Sequence, residues 1–399
     1  MASSNSPMSI PAPKTAFWRD PEKRALIFQI LAFAVVAWLL WSVINNTATN
    51  MKARGLASGF DFLGVNAGFG IIQTLIPYSE ASSYGRTFIV GLLNTILVAV
   101  LGVILATIVG FIVGVARLSH NWLLQKVATV YVETFRNIPL LLQIFFWYHA
   151  VLKPLPGPRE LHTAGDQVYF SINNRGIIMA EPVTGPAFQY VWYSLFIGLV
   201  LTWVVKKWAD RRQLATGQQF PVLWAGLGLI IGLPLLVYLL SGSPISMVPA
   251  EMNRFSLRGG VTIIPELIAL LIALVVYTAA FIAEIVRAGI QAVSHGQREA
   301  AYALGLRPGS TLRLVVIPQA LRVIIPPLTS QYLNLMKNSS LATAIAYPDL
   351  VSVFAGTVLN QTGQAVEVMA MTLAVYLTLS LLISVFMNWY NSRMKLVER

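Results

Sequence analysis

About eight long apolar stretches constrain the fold of this chain more than any other feature of its sequence. Each approaches or exceeds the ~20 residues that a helix needs to cross the hydrocarbon core of a membrane. Charged residues make up only 11% of the chain, as expected where an unpaired charge would be costly inside a bilayer. The pattern predicts an all-α, polytopic transmembrane bundle with spans near Ala25–Ile44, Thr87–Ala116, Val127–Leu152, Gln189–Val205, Pro221–Leu240, Thr262–Val286, Ala320–Ala344 and Val366–Tyr390.

The basic residues between these stretches predict the orientation of the chain. With the N-terminus in the cytoplasm, 18 Lys and Arg residues fall on the inner side and 8 on the outer side. Cytoplasmic loops carry an excess of Lys and Arg, so both termini are expected inside. The net charge of +12 does not indicate nucleic-acid binding, because the basic residues are spread over short loops and form no single stripe.

A polar segment between two predicted spans, Gln297–Gln319, carries the signals of a short helix. Ser294 and Gln297 have capping-box spacing, which predicts that the helix begins at about His295. Gly305 is suited to end it in the left-handed conformation, and the pair Pro308-Gly309 predicts a turn out of it.

The side chains of this short helix are small, which would let it lie in a groove of a partner protein. The spacing alone leaves an ordinary amphipathic loop as an equal alternative. The small residues are Ala300, Ala301 and Ala303.

The same segment resembles the EAA loop of bacterial ABC importer permeases. The family pattern of Glu-Ala-Ala, Gly, an aliphatic residue and Pro is met by Glu299, Ala300, Ala301, Gly305, Val315 and Pro318. Three further runs are similar to the polar-amino-acid branch of that family, and segments outside them are most similar to its general L-amino-acid permease subunit. The runs are YVETFRNIPLLLQIFFWYHAV (Tyr131–Val151), YTAAFIAEIVRAGIQAV (Tyr277–Val293) and QALRVIIPPL (Gln319–Leu328).

The resemblance implies a type I ABC importer permease core and a set of partners in the bacterial inner membrane. It implies ATP-binding subunits that dock on the cytoplasmic loop, a second homologous permease subunit and a periplasmic amino-acid-binding protein. ATP-Mg would be bound by the partner subunits, and this chain is expected to hold no cofactor. The residues implied in coupling to the ATPase are Glu299, Ala300, Ala301, Gly305 and Pro318.

Enzymatic motifs are missing from the sequence. No glycine directly precedes a lysine, as a phosphate-binding P-loop requires, and no Gly-x-Ser-x-Gly elbow occurs. We therefore expect no catalytic activity in this chain. The alternative function is an ion-coupled secondary transporter or a channel, which would need buried carboxylates as ion sites.

The resemblance also divides the chain. Residues 1–86 are expected to form an N-terminal cytoplasmic tail, a first membrane anchor and a periplasmic loop. Residues 87–399 form the permease domain, with a core of 87–152 and 262–395 and an inserted two-span segment, 153–261. The outer stretches 45–86 and 153–181 are rich in Gly, Pro, Asn and Ser, which predicts surface loops, with short turns around Phe60–Phe62.

Polar residues within one predicted span form a candidate substrate pathway. Pro326-Pro327 is expected to break or kink this helix, and broken helices with polar faces are where transporters place substrates. The run Leu335–Leu350 resembles the family segment that lines the path, although many cation-importing members have Asp where Asn338 stands. Hydrogen bonding to neighbouring helices is the alternative role. The residues are Gln331, Asn334, Lys337 and Asn338.

Other polar and small residues predict contacts between helices. Ion pairs are expected within Glu284/Arg287 and within Glu133/Arg136, each at i,i+3 spacing. Close helix approach is expected at Gly110/Gly114 and Gly228/Gly232. Asn94 and Thr95 are expected to bond neighbouring helices in preference to lining the pathway.

Overall fold

Long helices make up most of the computed structural model, which describes residues 21–53, 59–254 and 257–394. The tail before residue 21 and the basic residues Lys395 and Arg399 lie outside these ranges. The α-helices are α1 (Pro21–Ala53), α2 (Tyr84–Ala116), α3 (Trp122–Asn137), α4 (Leu140–Phe145), α5 (Pro158–Leu161), α6 (Phe188–Thr216), α7 (Val222–Leu227), α8 (Leu233–Leu240), α9 (Pro265–Gln291), α10 (His295–Ala303), α11 (Pro308–Thr311), α12 (Ile317–Asn338), α13 (Leu359–Thr362) and α14 (Ala365–Met394).

Shorter helical forms join several of these helices. Among the described residues, one π-helical segment continues α4 beyond its end, three others lead directly into α8, α12 and α13, and two further segments are 3₁₀. The π-helical segments are Phe146–Leu152, Gly228–Gly232, Leu312–Val316 and Val351–Val358, and the 3₁₀ segments are Asp61–Gly64 and Ser339–Ile345.

Within the described ranges, seven helices are long and apolar enough to cross a membrane, which confirms the helical transmembrane fold class. They are Lys23–Thr47, Tyr84–Ala116, Phe188–Thr216, Val222–Leu240, Pro265–Gln291, Pro308–Ile345 and Ala365–Met394.

The predicted span Val127–Leu152 is divided in the structure. α3 ends at Asn137, and Ile138 adopts an extended conformation with ψ of 126°. The residue before a proline is pushed out of the helical region, so Pro139 imposes this break. The remaining apolar piece, Leu140–Leu152, is shorter than a membrane-crossing helix.

Two expectations about prolines near α12 are not met, since Pro326-Pro327 do not break their helix and Pro308 makes no turn. Pro326 and Pro327 lie inside α12, which continues through them. Burial of Ile324, Ile325 and Leu328 on either side holds the helix together despite the missing donors. Pro308 begins α11 and makes no turn. Its ring suits the first position of a helix, where the backbone N–H has no partner.

Helix α9 lies at the centre of the core. Helix α2 packs along it so closely that the backbone of α2 contacts side chains of α9. A Cβ added at Gly110 would lie 2.6 Å from the Ile282 side chain, and one at Gly114 would lie 2.7 Å from that of Val286. The predicted close approach at this glycine pair is therefore confirmed. Gly289 of α9 repeats the arrangement against α12, since a Cβ there would lie 2.3 Å from Ile324.

The other predicted glycine pair, Gly228/Gly232, makes no such contact. A Cβ at either position would meet no heavy atom within 4 Å. The close approach in this part of the chain involves Gly198 of α6, where a Cβ would lie 2.3 Å from the carbonyl oxygen of Leu229. A glycine pattern alone does not reveal which helix face meets a neighbour.

The inserted segment forms a helical hairpin under a β cap. Helices α6 and α8 pack against each other. Around them are the strands β1 (Gln167–Val168), β2 (Phe170–Asn173), β3 (Gly176–Met179), β4 (Glu181–Thr184), β5 (Ile245–Val248), β6 (Ala250–Met252), β7 (Leu257–Arg258) and β8 (Val261–Ile263).

Within the described residues this cap consists of three small antiparallel sheets, with strand orders β1-β6-β7, β2-β3-β8 and β4-β5. The stretch 153–181, predicted to be a loop, contains β1, β2, β3 and the first residue of β4 in its second half. β2 and β3 pair with each other as a local hairpin, whereas β1, β3 and β4 pair with β6, β8 and β5, which lie beyond the helical hairpin in the sequence. Pairing across such a distance is not set by a local turn, so the spacing of residues does not reveal it. The short turn predicted around Phe60–Phe62 is present, as the 3₁₀ segment Asp61–Gly64.

The contact of α2 with α9 predicts that Gly110→Ala destabilises the fold. Its Cβ would overlap Ile282, and overpacking of this kind costs about 1–3 kcal/mol. We expect a lower Tm of the purified protein in detergent, measured by tryptophan fluorescence. Gly228→Ala adds the same methyl group in open space and serves as the control. Equal Tm values for the two variants would contradict this packing.

Candidate functional site

Helix α10 is the predicted short helix, and it begins at His295 as expected. Gly305 follows it with φ of +75°, the left-handed conformation in which glycine is least strained. The backbone N–H of Leu306 donates to the Ala301 carbonyl at 3.1 Å, and that of Gly305 donates to the Tyr302 carbonyl at 2.9 Å. These two bonds form a complete Schellman motif, which fixes the exit of the chain from the helix.

The predicted capping box at the start of α10 is absent. The Ser294 side chain caps no backbone N–H of the helix. The Gln297 side chain reaches across the segment, where its Oε1 accepts a 3.3 Å hydrogen bond from Gln319 Nε2. The first turn of α10 is therefore tied to the first turn of α12 by two side chains that lie 22 residues apart.

Helix α10 is also braced against the end of α9. Arg298 donates from Nη2 to the Ile290 carbonyl oxygen at 3.3 Å. Ala301 is buried against its own chain. Contrary to the prediction, it is therefore not available to a partner's groove. The small side chain at this position lets α10 lie close to the core.

The outward surface of α10, which we call the coupling surface, is exposed. It combines one carboxylate with small and apolar side chains. Glu299 Oε1 lies 2.9 Å from Nδ1 of His295, one turn earlier, while its side chain stays 68% exposed. Such a mixed surface is suited to a protein contact. Its members are Glu299, Ala300, Tyr302, Ala303 and Leu304.

An ion cluster ties the end of α2 to the last turns of α9, shortly before α10 begins. Glu284 accepts hydrogen bonds from both Arg117 and Arg287, so the pair predicted within α9 is present and shared with α2. The other predicted pair is wrong. Within the described residues Glu133 and Arg136 form no ion pair with each other, and the Arg136 guanidinium lies 5.0 Å from the centre of the Phe281 ring.

The predicted polar residues of α12 share one side of that helix, next to its buried face. Gln331 and Asn338 are half-buried, while Asn334 and Lys337 are exposed. Between these side chains and the rest of residues 21–53, 59–254 and 257–394 there is no hydrogen bond or ion pair. They therefore do not bond the neighbouring helices that the structure describes, and we call them the polar face of α12. Pro318 lies half-buried at the start of the same helix.

Sequence reasoning missed a buried carboxylate beyond the end of α12. Asp349 is 1% exposed. Its Oδ1 accepts from the Ser352 backbone N–H at 2.8 Å, and its Oδ2 accepts from Tyr376 Oη at 3.4 Å. An Asp just before an apolar helical run is a helix-cap signal, and this signal could have revealed it. The bonds anchor the segment that follows α12.

Asn94 and Thr95 of α2 hold the same region in place, as predicted. Asn94 donates from Nδ2 to the Pro348 carbonyl at 2.8 Å, and Thr95 Oγ1 accepts from the Leu350 N–H at 3.0 Å. Both side chains are fully buried. Their role is to bond a neighbouring segment.

Comparison with known proteins places the chain among transport proteins. Residues 100–396 match the family described as binding-protein-dependent transport system inner membrane component. The chain is 54% identical over 380 residues to YhdX of Escherichia coli (strain K12), which carries the name of an amino-acid ABC transporter permease protein; the match covers 95% of this chain and 96% of YhdX.

Two further relatives also match along almost their whole length. The general L-amino acid transport system permease protein AapQ of Rhizobium johnstonii is 52% identical, with 95% of this chain and 94% of AapQ covered. The glutamate/glutamine/aspartate/asparagine transport system permease protein BztB of Rhodobacter capsulatus is 45% identical, with 95% of this chain and 96% of BztB covered.

The geometry at the end of α10 predicts that substitution by Ala at Gly305 and at Gly296 will affect the stability of the helix differently. Gly305→Ala would place a side chain at a positive φ, which costs about 1–2 kcal/mol, although no heavy atom beyond the adjacent residues lies within 4 Å of the new Cβ. We expect the α10 amides to exchange with deuterium about tenfold faster, measured by mass spectrometry. Gly296→Ala lies in open space at an ordinary φ and should leave exchange unchanged or slower. Equal exchange in both variants would contradict the role of Gly305.

Proposed function

The chain belongs to the binding-protein-dependent transport system inner membrane component family, and on that premise we propose that it is a permease subunit of an ATP-driven amino-acid importer. The names of three relatives, each matched over at least 94% of its length, concern amino-acid transport. In this proposal the subunit forms part of the translocation path and catalyses no reaction itself.

One observation carries the coupling role: α10 is a rigid, exposed helix braced against two long core helices. Arg298 joins it to the end of α9, and Gln297 joins it to α12. The Schellman motif at Gly305 removes the freedom of its exit. A displacement of α10 by a partner would therefore move α9 and α12 with it and would not be absorbed in a loose loop.

The partner on the coupling surface is an ATP-binding subunit. Glu299 supplies an exposed charge for a basic residue of that subunit, and Ala300 and Ala303 let the two surfaces approach closely. ATP-Mg is bound and hydrolysed by the partner subunits. Closure of the ATP-binding subunits would press on α10 and switch the permease between its inward-open and outward-open forms.

The polar face of α12 lines the translocation path in this proposal. Gln331, Asn334 and Asn338 offer amide groups without a fixed negative charge, and Lys337 offers a cation for the α-carboxylate that all amino acids share. A second permease subunit would face this surface and close the path. An amino-acid-binding protein would deliver the substrate on the side of the β cap.

The orientation that fits this proposal has α10 in the cytoplasm. The distribution of Lys and Arg supports it, and it places the coupling surface where ATP is available. The β cap then lies on the periplasmic side of the inner membrane. With α3 and Leu140–Leu152 together making an eighth crossing, both termini are cytoplasmic.

The alternative of an ion-coupled transporter or channel finds little support. The buried carboxylates in the described residues are Asp349 and Glu367. Asp349 bonds Ser352 and Tyr376, and Glu367 accepts from the backbone N–H of Gly59 at 2.8 Å. Both groups hold neighbouring segments together.

The function is tested by reconstituting the chain with its partner subunits in proteoliposomes. We expect uptake of radiolabelled amino acids. It should require ATP on the side of the membrane where the ATP-binding subunits dock, and the binding protein on the opposite side. Uptake driven by a proton or sodium gradient without ATP would favour the alternative.

The coupling surface predicts that Glu299→Lys weakens binding of the ATP-binding subunits. Loss of an interfacial charge pair costs about 2 kcal/mol or more, so co-purification and ATP-dependent uptake should fall at least about tenfold. His295→Gln is the matched control, because it removes the partner of Glu299 within α10 and leaves the charge. Normal uptake by Glu299→Lys would refute the coupling role.

The polar face predicts that Asn338→Asp changes substrate preference. The new charge would attract a cationic side chain by a few kcal/mol at most at an effective dielectric constant of about 20. We expect the Arg-to-Glu uptake ratio to rise about tenfold. Asn391→Asp introduces the same charge near the end of α14 and should not change the ratio. An unchanged ratio in an active Asn338→Asp complex would place the path elsewhere.

A further inference from the structure

The far end of α6 carries a dense group of basic residues, which we call the basic end. It belongs to the inserted hairpin and lies outside the coupling surface and the polar face. Four cations fall within seven consecutive positions, with Asp210 as the acidic residue among them. They are Lys206, Lys207, Arg211 and Arg212.

The length of α6 places the basic end at the level of lipid headgroups. The helix begins at Phe188 beside exposed aromatic residues, including Trp192 and Tyr193, which favour a membrane–water interface. At 1.5 Å per residue, Lys206 lies about 27 Å and Arg212 about 36 Å further along the axis. The hydrocarbon core is about 30 Å thick, so these cations reach the opposite interface.

Aromatic rings hold two of the four cations in position. The Lys207 Nζ lies 3.9 Å from the centre of the Trp203 ring, and the Arg212 guanidinium lies 5.4 Å from that of Trp208. Trp208 packs edge-on against Phe220 at 5.2 Å, which ties the end of α6 to the start of the returning helix. The basic end is therefore an ordered surface.

Three cations of the basic end are exposed and unpaired. Lys206, Lys207 and Arg211 are exposed and form no ion pair within the described residues. On the same side of the helix, Leu214 is 89% exposed and Trp203 is 57% exposed. Cations interleaved with exposed apolar side chains fit the boundary of a lipid bilayer, where charged headgroups meet the apolar hydrocarbon core.

We propose that the basic end binds the phosphate headgroup of an anionic phospholipid. The charges are complementary, and clusters of Lys and Arg next to a membrane helix attract anionic lipids. The apolar sides of α6 and of the returning helix Val222–Leu240 lead from the β cap to the basic end, and most of their large side chains are exposed. A lipid that covers them with its acyl chains brings its headgroup to the cations.

The binding side is set by the connectivity of the chain. Helix α6 leaves the β cap after β4, and α9 leaves it after β8. Each crosses once, so the basic end and α10 lie on the same side, opposite the cap. The proposal does not depend on ATP coupling, because a bound lipid would anchor the hairpin whatever drives transport.

The test uses the full-length chain, purified and delipidated, with native mass spectrometry of added phosphatidylglycerol or phosphatidylcholine. Each basic residue near an anionic surface strengthens binding about fivefold. We expect the triple variant Lys206→Gln, Lys207→Gln and Arg211→Gln to bind phosphatidylglycerol at least about tenfold more weakly. The charge-conserving variant Lys206→Arg, Lys207→Arg and Arg211→Lys should retain binding.

A matched control removes three exposed cations from the β cap instead: Arg175→Gln, Arg254→Gln and Arg258→Gln. It should bind phosphatidylglycerol as the wild type does. Equal affinity of the wild type for the two lipids, or an equal loss in the control, would overturn the proposal. Displacement of the lipid by inorganic phosphate would indicate a free-anion site, and displacement by polyglutamate would indicate an acidic protein partner; either result would also overturn it.

Discussion

Contact between the backbones of α2 and α9 is the constraint on which the rest of the core depends. Gly110 and Gly114 bring α2 so close that a methyl group at either position would overlap α9. Inside a bilayer the hydrophobic effect does not drive helices together, because the lipid tails are themselves apolar. Close van der Waals packing therefore supplies much of the free energy of helix association. Glu284 and Arg117 add an ion pair at the end of the same contact. The two helices form a rigid frame.

Helix α12 is attached to that frame by one face and offers another. Gly289 lets Ile324 pack tightly against α9, while the side chains of the neighbouring polar face form no hydrogen bond or ion pair with the part of the chain that the structure describes. The Gln297–Gln319 bond links the start of α12 to α10. A single helix thus carries a connection to the coupling surface at one end and unbonded amides toward the other. This arrangement suits a part that moves as a unit.

Local rules were enough to predict α10 but not its surroundings. Ser294 and Gly305 mark the limits of the helix, because the preferences of cap residues depend on only a few neighbours. The bond from Gln297 to Gln319 depends on how two helices meet, so spacing suggested a capping box instead. Pro139 is a signal for a break, but the high hydropathy of the whole run 127–152 favoured the prediction of one continuous span. The continuity of α12 through Pro326 and Pro327 depends on burial, which the sequence alone does not give.

The β cap has a consequence for the synthesis of the protein. Glu181 of β4 pairs with Val248, and Met179 of β3 pairs with Val261, so each strand waits for a partner made about 70 to 80 residues later. At about 5–20 residues per second, that delay lasts roughly 4–16 s. Both crossings of the hairpin lie within the interval. The cap can close only after the whole helical hairpin has been synthesised, so β3 and β4 remain without these partners while the hairpin is made.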